Sequence, residues 1–174
     1  MSHGFTSQKW LSPLEQQALS RVLTMCRSTD ARNTLMIELA MKCGARASEL
    51  LAIRKKDLNA DFRTVHIRGI KNSNDRDVAL NPDLFSRVLD YAKALGPDDL
   101  LFPISYQRLD QIWHEYRPVK KKFHALRHTF AIELYQKTKD ILKVKRALGH
   151  RSLMNTMIYT EVQYSLEAIA ADAL

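Results

Sequence analysis

One stretch of this sequence breaks the pattern of the rest, and it limits the fold more than any other feature. From Phe62 the apolar residues alternate: Val65 and Ile67 are interleaved with His66 and Arg68, and Val78 to Leu80 forms a second short run. A period of two belongs to extended chain. The polar connection Lys71-Asn72-Ser73-Asn74-Asp75 joins the two runs as an antiparallel hairpin with a basic-edged tip.

The remaining spacing is mainly helical. Ser12-Pro13-Leu14-Glu15 has the form of a capping box with proline at the first helical position, and predicts a helix over about 13–26 whose stripe is Leu14, Ala18, Val22 and Met25. Asp30 is placed to cap a second helix, with Leu35, Ile37 and Leu39 inward and a stop near Gly44. Arg46 to Leu51 makes a short further helix, so Arg46 lies just past a helix end. Asn81-Pro82 opens a helix through Leu84, Val88, Leu89 and Ala92, closed by Gly96-Pro97, and Leu100 to Pro103 is a brief buried segment. Helices follow over about 106–116 and 125–137, then one carrying Ile141, Val144 and Leu148 up to Gly149. A third covers about 152–158, and a last one carries Val162, Leu166 and Ile169 to the C-terminus. The expected class is α+β, mostly α-helical with one small antiparallel β-sheet, and 174 residues without internal repeat or linker make one domain.

Composition narrows the partners. Twenty-seven Lys and Arg against nineteen Asp and Glu leave a net charge of +8, the imbalance of a surface that meets a polyanion. With 45% apolar and 26% charged residues the chain is a folded one, neither fibrous nor low-complexity. Cys26 and Cys43 lack metal or disulfide spacing, and no apolar run approaches the roughly 18 residues that span a bilayer. By charge alone, nucleic acid or an anionic membrane surface leads the partners, and a reducing cytoplasm is the expected compartment, with no membrane-spanning segment.

Three islands hold polar residues that helix packing does not require. They are Gly44-Ala45-Arg46-Ala47-Ser48-Glu49-Leu50, His124-Ala125-Leu126-Arg127-His128-Thr129-Phe130-Ala131, and Leu148-Gly149-His150-Arg151 with Ile158-Tyr159-Thr160. The order Arg, His-x-x-Arg, Gly-His and then Tyr nine residues on resembles the tyrosine recombinases, also called phage integrases, from Trp10 onward. The resemblance implies a recombinase catalytic domain over 1–174 that cuts and rejoins DNA at a specific site, through a 3′-phosphotyrosine on Tyr159. That activity covers integration, excision, inversion or resolution.

Attack on a phosphodiester spreads charge over its non-bridging oxygens, and planar guanidiniums are the side chains suited to receive it. Arg46 and Arg127 match the family's two arginines, and His150 a further donor. A phenol is mostly protonated at neutral pH and must lose its proton as it attacks; His124 matches the family's candidate for that transfer. Lys71 matches the general acid for the leaving oxygen, although the family's neighbouring glycine is replaced by Asn72. Glu49 matches an acidic position behind the arginine.

Other residues carry weaker expectations. Lys120, Lys121 and Lys122, directly before the second island, and Arg151 are expected to contact DNA phosphates. His128, four residues after His124, is read as structural; the pair lacks both the Glu of a zinc motif and a third ligand, and no metal or cofactor is expected. Asp75 with Asp77, and Asp98 with Asp99, lack the supporting carboxylate of a two-metal nuclease. Tyr164 is the rival nucleophile, set aside because its interval from His150 differs.

The resemblance also implies partners: double-stranded DNA with a recombination site, a tetramer assembled on it, and accessory DNA-bending proteins. In such an assembly residues 161–174 dock on a neighbouring protomer, but the same stripe also reads as core. The family's separate N-terminal core-binding domain, which closes a clamp on DNA, is not expected in this chain. Two rivals share the resemblance: a non-catalytic DNA-binding regulator on the same fold, and a type IB topoisomerase.

Overall fold

The computed structural model describes residues 9–70 and 73–162. The chain is mostly helical, with one small antiparallel sheet of three strands, as the change of period at Phe62 anticipates. Helix α1 spans Pro13–Cys26, α2 Ala31–Cys43 and α3 Ala47–Leu51, followed by a single 3-10 turn at Lys55–Asp57. Strands β1 (Leu58–Asn59), β2 (Thr64–Ile67) and β3 (Arg76–Ala79) pair in the order β1-β2-β3, with Val65 opposite Val78 and Ile67 opposite Arg76. Then come α4 (Pro82–Ala92), α5 (Tyr106–Tyr116), α6 (Ala125–Thr138), α7 (Ile141–Leu148) and α8, helical over 154–162 as far as it is described.

Helix α2 is the hub. Nine of its thirteen residues are buried, because it touches α1, α4 and α6 on different sides. Leu35, Met36, Ile37 and Leu39 fill the main core, with Trp113 edge-on to Phe123 at 5.8 Å. A second, smaller cluster joins α6, α7 and α8 through Ala131, Ile132, Val144, Leu148, Tyr159 and Val162, with Phe130 touching both cores.

Several expectations need correction. The capping box of α1 is formed, Ser12 N donating to Glu15 at 2.8 Å and Glu15 N to Ser12 at 3.3 Å. Its buried face, however, is Leu19 and Leu23, while Leu14 and Met25 are nearly four-fifths exposed. The helix carries two apolar stripes, and contact with α2 selects the one that the spacing did not favour. Asp30 sits at the α2 N-cap position without capping it; its carboxylate instead accepts from Asn33 and from the Tyr116 hydroxyl at 2.7 Å. Strand β1 is an addition, its two residues too few to show a period. The break expected near residue 158 is absent, since α8 continues through Tyr159 to residue 162. Tyr164, Leu166, Ile169 and the docking expected of 161–174 lie outside the described residues, apart from the helical 161–162. No helix among the described residues is long and apolar enough to cross a membrane.

Candidate active site

Ends of helices build the site. Gly44 stops α2 in the left-handed region (φ 60°), where a side chain is strained and where a Cβ would lie 2.3 Å from the Phe130 ring. The chain can then turn at once, and Arg46 becomes the N-cap residue of α3. Its backbone N–H and its Nη1 each donate to the Glu49 carboxylate at 2.9 Å.

Arg127 lies in the first turn of α6 and is 2% exposed. Its Nη1 donates to Gly44 O and its Nη2 to Leu148 O, both at 2.7 Å. These carbonyls are the unsatisfied ends of α2 and α7, so one guanidinium closes two helices. Nη1 also lies 3.5 Å from Glu49. A guanidinium has five N–H donors, and those left over are available to an anion. Burial first, then repulsion from Arg46, lowers its pKa to about 10, which still leaves it charged at neutral pH.

Glu49 binds the arrangement together. Its side chain is fully buried and also accepts from Arg76 Nη2 at 2.8 Å. Burial alone would raise its pKa; the hydrogen bonds from Arg76 and from the Arg46 N–H outweigh it and hold the group down to about 2. Among the described residues no second carboxylate pairs with Arg46, Arg76 or Arg127. Three guanidiniums share one carboxylate, and the surplus positive charge marks an anion site.

Sequence reasoning missed this pairing. The signal was available: in β3 the inward phase runs Arg76, Val78, Leu80, so the alternation buries an arginine, and a buried arginine needs a carboxylate.

Gly149 ends α7 with φ 69°, and His150 follows, its backbone N–H bonded to Lys145 O. The His150 Nδ1 is 2.9 Å from Thr156 Oγ1, which leaves Nε2 as the ring's other polar atom. Burial and then the charges of Arg127 and Arg46 lower its pKa to about 4. The hairpin docks here: Asn74 N donates to Gly149 O at 2.8 Å, Ser73 Oγ to the same oxygen at 3.2 Å, and Ser73 bridges His150. A Cβ on Gly149 would come within 2.6 Å of Asn74 O. Lys71 lies outside the described residues, two positions before this anchored Ser73.

His124 is the N-cap residue of α6 and is exposed, yet desolvation first, then Arg127 and Arg46, lowers its pKa to about 4. His128 stands edge-on to it, ring centroids 4.7 Å apart and planes at 87°. Beyond His128 is Tyr159, 2% exposed in the smaller cluster, with its hydroxyl 3.1 Å from His128 Nδ1. Burial pushes the phenol up to about 12, and Arg127 and Arg46 oppose the rise. His128, read from sequence as structural, is therefore the imidazole in contact with the tyrosine.

The lysine run divides. Lys120 and Lys122 are exposed, as is Arg151. Lys121 turns inward: its Nζ donates to Trp10 O and to Glu15, each at 2.6 Å, tying the N-terminal segment to the approach to α6. That is a structural contact made by a residue expected to contact DNA phosphates.

A surplus of positive charge buried around Glu49, near a sequestered phenol, has the features of the broad class of anion-binding proteins. Comparison with known proteins specifies the class. Residues 12–165 match the phage integrase family. Tyrosine recombinase XerA of Saccharolobus solfataricus is 28% identical over 161 residues, covering 89% of this chain and 54% of that protein. A tyrosine recombinase of Pseudothermotoga lettingae is 35% identical over 142 residues, covering 75% and 50%. The crystal structure of XerH recombinase in a post-cleavage complex with palindromic difH substrate superposes with a TM-score of 0.77, at 28% identity, over 98% of this chain and 55% of that one. The chain belongs to the phage integrase family. It spans about half the length of the curated relatives it matches.

Proposed function

We propose that residues 12–165 are the strand-transfer domain of a tyrosine recombinase, which cleaves and rejoins double-stranded DNA at a specific site through Tyr159. Arg46 and Arg127 hold the scissile phosphate, with His150 and His124 as further hydrogen-bonding groups. The Tyr159 oxygen attacks phosphorus, the 5′ oxygen leaves, and Lys71 supplies its proton. The phosphotyrosyl ester retains the free energy of the broken bond, so rejoining draws on no nucleotide. Glu49 and Arg76 position the two phosphate-binding arginines.

The observation that carries this reading is the cluster of three guanidiniums around the single carboxylate of Glu49, with Arg127 and Arg46 close enough to act on the buried Tyr159 phenol. Exposed Lys120, Lys122 and Arg151 extend the phosphate-binding surface. Exchange between two sites requires several protomers, and we assign their contact to the segment 161–174 in a tetramer on DNA, with DNA-bending proteins as optional accessories.

The test is a pool of nicked duplexes with a randomised central segment, on which cleavage releases a short strand and traps the adduct. The native chain is expected to form a denaturation-resistant DNA adduct mapping to Tyr159, and Tyr159→Phe none. No adduct with the native chain sinks the proposal and leaves a DNA-binding regulator, while an adduct that survives Tyr159→Phe overturns Tyr159 as the nucleophile. Relaxation of supercoiled plasmid without any special site favours the topoisomerase reading. A 5′-bridging phosphorothiolate, whose leaving group needs no proton, is expected to restore cleavage by Lys71→Ala.

A further inference from the structure

We propose that His128 is a catalytic residue, the group that takes the proton of the Tyr159 hydroxyl during attack and returns it on rejoining. The inference rests on the strand-transfer reading and assigns one of its steps to a residue to which the resemblance gives no catalytic role.

Three observations carry it. Tyr159 is 2% exposed and belongs to the buried cluster of Ala131 and Ile132 of α6 with Val144 and Leu148 of α7, so little solvent is at hand to collect its proton. The proton has to pass to a protein atom, and His128 Nδ1 is 3.1 Å from that oxygen, within range for direct transfer. His128 also follows Arg127 on α6, so the proton acceptor and the main phosphate-binding group sit on the same helical turn. His124, the residue the motif suggests for the task, is an exposed residue at the N-cap of α6 that meets the His128 ring edge-on.

The step balances as follows. A lone pair of the Tyr159 oxygen forms the P–O bond while its O–H bond breaks, and the proton moves to His128 Nδ1, giving an imidazolium. The P–O5′ bond breaks and the 5′ oxygen takes a proton from the separate acid. Rejoining runs in reverse, with the imidazolium returning its proton to the departing phenol oxygen. Nδ1 must therefore be unprotonated at rest, with Nε2 carrying the hydrogen.

The free protein holds His128 neutral. Burial, then His124 and Arg127 on its own helix, Lys9 from the N-terminal segment and His150 from the α7–α8 turn all disfavour its charged form, lowering its pKa to about 3. A phosphate seated on Arg46 and Arg127 cancels part of that positive field. Its own negative charge stabilises the imidazolium, so the acceptor gains strength when substrate arrives.

His128→Asn keeps an acceptor oxygen near the Nδ1 position but cannot take the proton. On the nicked-duplex pool it is expected to form the Tyr159 adduct about 100-fold more slowly than the native chain, with DNA affinity within twofold. Native-like or faster adduct formation overturns the inference, the faster case making His128 a restraint on the tyrosine. If the native chain forms no adduct, the strand-transfer reading falls and takes this step with it. A second measurement needs neither DNA nor a variant: nitrogen NMR of the native chain is expected to show His128 Nδ1 unprotonated, and a protonated Nδ1 overturns the assignment.

Discussion

The two halves of the site rest on unequal foundations. The guanidinium half is seated on the main core around α2: Arg127 closes two helices, Glu49 accepts from neighbouring elements, and Arg76 pins β3 to α3. The tyrosine half rests on the six buried residues of the smaller cluster, flanked by solvent-exposed Met154 and Met157 on α8. Local stability follows buried apolar contact. The guanidiniums should therefore behave as fixed scaffold, and Tyr159 as the adjustable partner.

Arg127→Ala strains this contrast most. It orphans two helix-end carbonyls and removes a charge from beside buried Glu49, so we expect a loss of about 3–5 kcal/mol in urea unfolding. A loss under about 1 kcal/mol would mean the guanidinium half is no better anchored than the other.

Acid is the next probe. His150 and His128 have folded pKa values of about 4 and 3, below the ordinary 6.5. The unfolded chain therefore binds more protons than the folded one as pH falls below 6.5, and stability is lost in that direction. Glu49, held near 2, begins to contribute only below the ordinary 4.5 of a glutamate. Between pH 6.5 and 4.5 the slope thus belongs to the histidines; at about 2 kcal/mol for each of these two rings we expect about 4 kcal/mol to be lost there, read from urea midpoints. A flat response would place both rings in contact with water.

Hydrogen exchange measures the contrast directly. Amides of α8 should open at a free energy about 1–2 kcal/mol below those of α2, and equal protection would erase the difference between the halves. Smallest in stability is Tyr159→Phe, expected to cost about 1 kcal/mol for the lost hydrogen bond to His128, in a thermal melt. A much larger cost would make the phenol a structural element rather than an adjustable one.

Legibility divides along the same line. Chain ends of helices leave local marks, so Gly44 before Arg46 and Gly149 before His150 place those residues correctly from sequence alone. The hairpin is equally local, since alternation needs only neighbours, and with more attention to phase it would have exposed Arg76. What failed depends on distant chain. The buried stripe of α1 is chosen by α2, and both stripes look alike until that partner is present. The spacing of His128 from His124 is visible, but its bond to Tyr159 spans 31 positions, and no local pattern carries it. Lys121 is the same case, its partners more than a hundred residues away.

Two successive carbonyls at the end of α7 have separate attachments: Leu148 O belongs to Arg127, and Gly149 O to the Asn74 N–H and the Ser73 hydroxyl. The consequence is mechanical. A pull on the hairpin loop loads the very peptide link that steadies the arginine, so the two cannot be displaced independently, and a strained duplex gripping one would register at the other.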